Sequence, residues 1–274
     1  MRRALAALLV ACLLSGQATH AQDEARAMYL ANQGVLVTAG DTGILFDPLF
    51  DADFGQFQLV PAELHAAMLA GEPPFDGVAA VFVSHAHGDH FSAEMMLKYL
   101  RHQPSVRLYA PVQATRMLRQ MAYEDADVLS RVTGIALEHG DEPFTTRVGN
   151  LDIGAVRLPH SGWPDRMTDI ENLAFRVALN GNVVVEHYGD ADPTLTHFEA
   201  NTSHWESTNP AVALPPYWFF LSPEGRQIVD EYIRPAQAIG THAPVELPPY
   251  PATRTPEFQA YDLFRVPGET RTIP

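Results

Sequence analysis

Hydrophobic and polar positions follow one another in short blocks at the start of the chain. Three of these blocks are β-type runs, at residues 27–30, 34–38 and 43–46. Turn-forming residues such as Asn32-Gln33-Gly34 separate them, so the pattern predicts a meander that enters a sheet. A helical pattern over residues 61–69 then ends at Gly71.

The next part of the chain alternates between strand-like and helix-like blocks. Residues 78–83 form a continuous apolar run that is typical of a buried strand. Residues 93–102 carry apolar side chains at helical spacing, and Ser92 before them is a candidate N-cap. A strand at 106–110 and helices near 112–121 and 125–131 repeat the alternation, which indicates an α/β layer.

The second half returns to strand-like runs, at residues 151–158, 172–179 and 183–186. Asn180-Gly181 between the last two is typical of a two-residue hairpin turn. Ser222-Pro223 predicts a helix that ends near residue 233, and a final strand is expected near 262–266. No change of composition and no repeat interrupts residues 22–274, so we expect a single domain there.

Residues 1–21 have the organisation of a cleaved signal peptide. Arg2 and Arg3 precede an apolar run over residues 4–14, and Thr19-His20-Ala21 offers a small-residue cleavage site. The apolar run is short for a transmembrane span, so we expect a periplasmic or secreted protein with no membrane-spanning segment. The alternative is a lipoprotein anchored through Cys12, although apolar residues follow this cysteine in place of a polar tether.

Composition narrows the function further. The chain of 274 residues is 46% hydrophobic, as in an ordinary globular protein, and its formal charge is −15. Such an acidic surface repels a phosphate backbone, so we expect a small-molecule substrate and no nucleic acid; the oligomeric state stays open. Cys12 is the sole cysteine, and its removal with the leader leaves no disulfide, thiolate ligand or cysteine nucleophile.

The highest density of potential metal ligands lies directly after the apolar run at residues 78–83. His85, His87, Asp89 and His90 stand within six residues, at a point where a strand ends and a loop begins. His85 and His87 can share one cation, while Asp89 and His90 can reach towards a second. Two metal ions are therefore plausible from this loop alone.

The sequence His85-Ala86-His87-Gly88-Asp89-His90 matches the HxHxDH signature at every position, and here the chain resembles the metallo-β-lactamase superfamily. The resemblance implies an α/β fold, an αββα four-layer sandwich with the metal site at one edge of its two sheets. It also implies that His85, His87 and His160 hold one metal and that Asp89, His90 and His242 hold the other. Asp190, in a Gly-Asp pair after a strand, would bridge the two metals.

Other residues are predicted around this centre. Asp192 competes with Asp190 for the bridging role, although it lies on the opposite side of an extended chain. The resemblance implies that Asp47, in the Asp47-Pro48 pair, braces the metal loop from behind, and His187 is expected to support a ligand without being one. Pocket residues are expected from an aromatic loop at 49–60 or from the irregular segment 194–220, in which we select His204, Trp205, Tyr217 and Trp218.

Imidazole and carboxylate ligands suit two divalent ions, with Zn²⁺ favoured over iron or manganese. Asp89 and Asp190, with a metal-bound water, would then be the catalytic groups of a hydrolase acting on a small ester, lactone or amide-like substrate. The alternatives are a phosphodiesterase or phospholipase D-like hydrolase, a β-lactamase, a mononuclear-iron oxidoreductase and a non-catalytic metal-binding protein. No GxSxG, GK[ST] or GxGxxG motif supports serine-hydrolase, nucleotide or dinucleotide chemistry.

Overall fold

The computed structural model describes residues 24–274, so the predicted signal peptide and Cys12 lie outside the described residues. Within this range the strands are β1 (Arg26–Ala31), β2 (Gly34–Ala39), β3 (Thr42–Phe46), β4 (Val78–Phe82), β5 (Arg107–Pro111), β6 (Val132–Ile135), β7 (Phe144–Val148), β8 (Leu151–Arg157), β9 (Leu173–Leu179), β10 (Val183–His187), β11 (Val212–Leu214), β12 (Gln237–Ala238) and β13 (Thr270–Thr272).

The helices of the same range are mostly short. They are α1 (Ala62–Ala70), α2 (Ala93–His102), α3 (Val112–Ala122), α4 (Ala126–Leu129), α5 (Leu195–Glu199), α6 (Thr202–Trp205), α7 (Pro223–Gln227) and α8 (Pro256–Gln259). A 3-10 turn covers Tyr217–Phe220, another covers Pro251–Thr253, and a π-helical turn covers Ile228–Ile233. Across the described part of the chain, no helix is long and apolar enough to cross a membrane.

The strands form two sheets. One has seven strands in the order β13-β1-β2-β3-β4-β5-β6, and the other has six in the order β12-β11-β10-β9-β8-β7. Neighbouring strands from β3 to β6 are parallel, as are β10, β11 and β12, whereas the remaining pairs are antiparallel. Both sheets are therefore mixed.

Apolar side chains fill the spaces between four layers. Phe46, Phe82 and Phe175 belong to the core between the two sheets. The outer face of the seven-stranded sheet packs on helices α1 to α4, with Met96 and Leu118 among the buried residues. A third cluster lies where α5 to α8 cover the six-stranded sheet. The predicted αββα sandwich is confirmed.

Two local predictions differ from the structure. The final strand is β13 and not residues 262–266, where Leu263 makes only an isolated bridge to Gly240. The cause is a turn at Gly268, held by the Glu269 carboxylate on the amide of Val266, which delays pairing with β1 until Thr270. Similarly, Ser92 makes no side-chain cap on α2, because its hydroxyl donates to Oδ2 of Asp51, 2.8 Å away.

The predicted helix after Ser222 begins as expected. The Ser222 hydroxyl accepts the amide of Gly225 at 3.1 Å, and Pro223 occupies the first turn of α7. After Gln227 the helix widens into the π-helical turn, and the chain leaves it at Arg234 with a φ of 54°. From here β12 leads towards the edge of the sandwich where the polar loops meet.

Candidate metal centre

Four chain segments bring the predicted ligands to one edge of the sandwich, and each follows the end of a strand. The loop after β4 carries His85, His87, Asp89 and His90. His160 follows β8, Asp190 follows β10, and His242 follows β12. Local sequence therefore sets each side chain at a strand end, and the sheet order brings the four ends together.

The first cluster consists of His85, His87, His160 and Asp190, whose donor atoms all lie within 4.8 Å of one another. Nε2 of His85 is 2.9 Å from Nδ1 of His87, and Nε2 of His160 is 3.5 Å from Oδ2 of Asp190. His87 is half-buried and the other three are buried. This cluster therefore has one side open to solvent.

The second cluster consists of Asp89, His90 and His242, again with donor atoms within 4.8 Å of one another. Nε2 of His242 lies 3.2 Å from Nε2 of His90 and 3.3 Å from Oδ2 of Asp89. All three side chains are buried. The structure thus divides the seven predicted ligands into two groups, as the HxHxDH resemblance implies.

Asp190 lies between the two clusters. Its Oδ1 is 3.3 Å from Nε2 of His90 in the second cluster, while its Oδ2 is 3.5 Å from Nε2 of His160 in the first. Asp192 is turned away: its carboxylate accepts the hydroxyl of Thr194 at 2.6 Å. The position between the clusters therefore belongs to Asp190.

The nitrogen and oxygen atoms of the two clusters are better satisfied by divalent ions than by hydrogen bonds among themselves. When the ring of His90 is neutral and its Nδ1 donates to Asp47, its Nε2 carries a lone pair that faces Oδ1 of Asp190 at 3.3 Å, so two acceptors meet without a proton between them. Nε2 of His160 is buried without a hydrogen-bond partner anywhere in residues 24–274. Two cations that accept these nitrogen and oxygen atoms would satisfy them all, and such ligands suit zinc, iron or manganese.

The electrostatics of the clusters keep both aspartates ionised. Burial opposes ionisation of Asp190, but the charges of His242 and His90 outweigh it and hold the pKa of this carboxyl well below its usual value. Burial also lowers the pKa of His85 well below its usual value, and the charge of His90 adds to the effect. Anionic carboxylates and a neutral imidazole are the protonation states that bind metal.

Asp47 contacts the loop that carries His85 to His90 from behind. One of its oxygens accepts the amide of Ser84 at 2.7 Å, and the other lies 2.9 Å from Nδ1 of His90. Asp47 itself is fully buried and has a φ of 38°. An aspartate tolerates this left-handed backbone better than most residues, so it can turn its carboxylate into the loop at the end of β3.

Two further supporting residues, Asn32 and Gln33, are missing from the sequence prediction. Nδ2 of Asn32 donates to the carbonyl of Asp89 at 2.9 Å. Nε2 of Gln33 donates to Oδ1 of Asp190 at 3.0 Å. In the sequence, Asn32 and Gln33 are recognisable only as part of the turn between β1 and β2. Neighbouring residues do not distinguish a turn side chain that faces solvent from one that is buried.

His187 lies behind the clusters and belongs to neither. Its ring stacks on Phe46 with centroids 4.9 Å apart, and its Nε2 is 3.2 Å from the carbonyl of Gln33. Burial lowers the pKa of His187 below its usual value. His187 therefore contacts the turn that carries Gln33 and lies outside both clusters.

Both candidate segments contribute an aromatic wall above the second cluster. Phe57, from the loop at 49–60, contacts His242 edge-on with ring centroids 4.2 Å apart. Trp218, from the segment 194–220, lies 5.2 Å from the same ring and donates its indole N–H to the carbonyl of Ala191. Tyr217 lies beside Trp218 and packs on Phe258. Both segments therefore supply aromatic rings beside His242.

Two of the predicted pocket residues are elsewhere. Trp205 is 1% exposed and packs on Tyr188 and Phe198 in the core under α5 and α6, because β11 draws this segment against the six-stranded sheet. His204 faces a separate cavity of about 910 Å³ on the outer face of that sheet. Burial lowers the pKa of His204 to about 3, and the charge of Arg176 acts in the same direction.

Comparison with known proteins agrees with this fold and site. A family model described as a beta-lactamase superfamily domain matches residues 42–207. The fold and the paired histidine and aspartate clusters define the class of a metal-dependent hydrolase with the metallo-β-lactamase fold. The chain belongs to the β-lactamase superfamily. The comparison with curated proteins finds no match.

Several solved structures are similar in fold at low sequence identity. Igni18, a metallo hydrolase from Ignicoccus hospitalis, is 17% identical with a TM-score of 0.59, covering 91% of this chain and 98% of its own. A possible metal-dependent hydrolase from Veillonella parvula is 13% identical with a TM-score of 0.60, covering 91% and 99%. An isothiocyanate hydrolase from Delia radicum gut bacteria is 12% identical with a TM-score of 0.58, covering 90% and 98%.

Proposed function

We propose that the protein binds two divalent metal ions, with zinc favoured, and hydrolyses a small ester, lactone or amide-like substrate. The observation that supports this most directly is the Asp190 carboxylate, whose Oδ2 lies 3.5 Å from Nε2 of His160 in the first cluster and whose Oδ1 lies 3.3 Å from Nε2 of His90 in the second. A carboxylate in this position can bind a metal in each cluster at once. When bound, the two ions would supply the Lewis acidity that activates water and polarises a carbonyl.

The residues of the chain have separate tasks in this reaction. Asp89 and Asp190 provide fixed negative charge, because the pKa of each lies below its usual value: burial acts in the opposite sense, but neighbouring histidines outweigh it. Asn32 and Gln33 hold these two carboxylates in place by donating to them. The aspartates therefore act mainly as metal-binding and charge-stabilising groups.

The surroundings favour a small substrate with some apolar character. Phe57 and Trp218 form an aromatic wall beside His242, at the entrance to the second cluster. The formal charge of −15 gives no attraction to a polyanion such as a nucleic acid. A carbonyl compound that fits beside these rings is therefore preferred over a phosphodiester chain, and a β-lactam is ranked below a lactone or simple ester.

The test is the specificity constant of the purified, metal-loaded protein on a mixed panel of lactones, esters, phosphodiesters and β-lactams. We expect lactone or ester turnover to exceed the others, and an Asp190→Ala variant to lose it. A phosphodiester or β-lactam that is the best substrate by tenfold or more would overturn this order. Metal analysis separates the other classes: a single bound iron would indicate an oxidoreductase, and two metals without turnover a binding protein.

We also propose that the mature protein starts after Ala21 and is exported, because the basic start, apolar run and small-residue site of residues 2–21 occur in the order that a signal peptide requires. Residues 22–274 would then act as one domain. Mass spectrometry of exported protein tests this. An intact Met1 or a lipid on Cys12 would contradict it.

A further inference from the structure

Two clefts open beside the histidines of the first cluster. The first, of about 270 Å³, is lined by His87, Gln113, Arg116, Met117, Gln120 and Ile170 among others. The second, of about 140 Å³, includes His139, His160, Trp163, Met167 and Ile170 in its lining. Ile170 lines both clefts, and the donor atoms of His87 and His160 lie within 4.8 Å of each other. The two clefts therefore meet at the first cluster, and together we call them the Ile170 groove.

The wall shared by the two clefts is held in place. The backbone amide of Gln113, at the start of α3, donates to the Glu171 carboxylate at 2.8 Å. The Gln113 side-chain amide donates a second hydrogen bond, to the carbonyl of Asp169, also at 2.8 Å. Because Ile170 lies between these two anchors, the groove is preformed and does not require a loop to close.

Large apolar side chains line the groove and remain partly exposed. The exposed fractions are 42% for Met117, 44% for Trp163 and 40% for Met167. They come from α3 and from the loop after His160, and they line the same clefts as His87 and His160. Exposed apolar groups gathered around a polar centre are typical of a ligand-binding groove.

One cation stands in this groove without an internal partner. The guanidinium of Arg116 makes no hydrogen bond or ion pair with any group of residues 24–274, whereas Arg119 on the same helix donates to the carbonyl of Val132. The chain as a whole is strongly acidic, with a formal charge of −15. An unpaired guanidinium beside an apolar groove is suited to a carboxylate or similar anion at the end of an apolar chain.

We propose that the Ile170 groove is the substrate-binding groove and that its ligand is an amphipathic anion. The anionic group pairs with Arg116, and the apolar chain runs past the histidines of the first cluster along Met117 and Ile170 towards Trp163. This proposal rests on the proposed hydrolase function and names the substrate class. The small volume of both clefts favours a single aliphatic or aryl chain over a protein partner or a lipid bilayer.

The test measures binding of octanoate, octanol and butyrate to the full chain by calorimetry, with Trp163 fluorescence reporting the location. We expect octanoate to bind more tightly than butyrate by about twofold for each added methylene, which is about half the effect of complete burial. Octanoate should exceed octanol by about fivefold because only octanoate pairs with Arg116. A Trp163→Phe variant should retain binding and lose the fluorescence change.

Two pairs of variants on α3 provide matched controls. Met117→Ala should weaken octanoate binding about threefold, while Met121→Ala, outside the clefts, should not. Arg116→Gln should abolish the preference for octanoate over octanol, while Arg119→Gln should keep it. Equal affinity for octanoate and butyrate, or no difference between each variant and its control, would overturn the proposal. Tight binding to phosphatidylglycerol vesicles that Met121→Ala weakens as much as Met117→Ala would also overturn it, in favour of a lipid surface.

The outcomes also separate this proposal from the hydrolase function. Octanoate binding that follows the expected pattern, in a protein that hydrolyses no ester, would support the groove and contradict the proposed reaction. Ester hydrolysis that is independent of chain length, without octanoate binding, would contradict the groove alone.

Discussion

The side-chain amide of Gln33 lies 3.0 Å from Oδ1 of Asp190 and also donates to the carbonyl of Gly189. Its own carbonyl oxygen accepts the hydroxyl of Thr241, the residue before His242. One buried glutamine therefore connects the carboxylate between the clusters to the segment that carries the last predicted ligand. Such support is expected to affect metal affinity almost as strongly as a ligand does.

Gln33→Leu should weaken metal binding about tenfold, because Leu keeps the apolar part of the side chain and removes its three hydrogen bonds, to Gly189, Asp190 and Thr241. Metal titration in the presence of a competing chelator measures the change. Gln237→Leu, a glutamine on β12 that does not contact the clusters, is the control. Equal affinity in the two variants would show that Gln33 has no supporting role.

Asp190→Ala should lower the occupancy of both metal positions, since this carboxylate contacts His160 of the first cluster and His90 of the second. Asp192→Ala should keep two metals per chain, because the Asp192 carboxylate accepts a hydrogen bond from Thr194 and is absent from both clusters. Metal content by elemental analysis distinguishes the two. If Asp192→Ala lost metal and Asp190→Ala did not, the assignment of the bridging position would be reversed.

His160→Ala and His242→Ala should each remove about one metal per chain, because these histidines belong to different clusters. Activity should fall in both variants if the two ions act together. Anomalous scattering from crystals of each variant would show which position is empty. Loss of the same metal position in both would contradict the division into two clusters.

Trp205→Ala should mainly lower stability, whereas Trp218→Ala should mainly change substrate specificity. Trp205 is fully packed in the core, so its truncation should lower the free energy of unfolding by about 3–5 kcal/mol. Trp218 is half-buried beside His242, so its truncation should change substrate specificity constants with a smaller loss of stability. Urea unfolding and steady-state kinetics measure the two effects. A stable Trp205→Ala variant with altered specificity would show that Trp205 belongs to the substrate pocket and not to the core.

His204 should make folding stability depend on pH. Burial lowers its pKa in the folded protein to about 3 from an ordinary value of 6.5, so the folded state binds fewer protons than the unfolded state between these values. Its contribution is fully present above pH 6.5 and is lost as pH falls towards 3. At pH 5 the loss amounts to about 2 kcal/mol relative to pH 7.5.

His204→Phe keeps a ring at this position and removes the titrating group. The difference in free energy of unfolding between pH 7.5 and pH 5, measured by urea unfolding, should therefore be about 2 kcal/mol smaller in the variant than in the original protein. An unchanged difference would mean that His204 is protonated in the folded state without cost.

The sequence by itself determined much of this protein, because the decisive signals are local. Hydrophobic periodicity predicted the strands and helices of the first sheet layer closely, as for α2 at 93–102, since side-chain spacing within one element depends only on neighbouring residues. The HxHxDH loop indicated the family, and each remaining predicted ligand stands just after a strand end. The αββα layers followed from the same resemblance.

Only the tertiary structure decided the relationships between distant segments. The contact between Gln33 and Asp190 joins residues 157 positions apart, and no local pattern distinguishes this glutamine from an exposed turn residue. Trp205 and Trp218 stand in the same irregular segment, yet one packs in the core and the other faces His242. Which polar groups are buried, and against what, depends on how strands from both halves of the chain are ordered in the two sheets, and that ordering is a property of the whole fold.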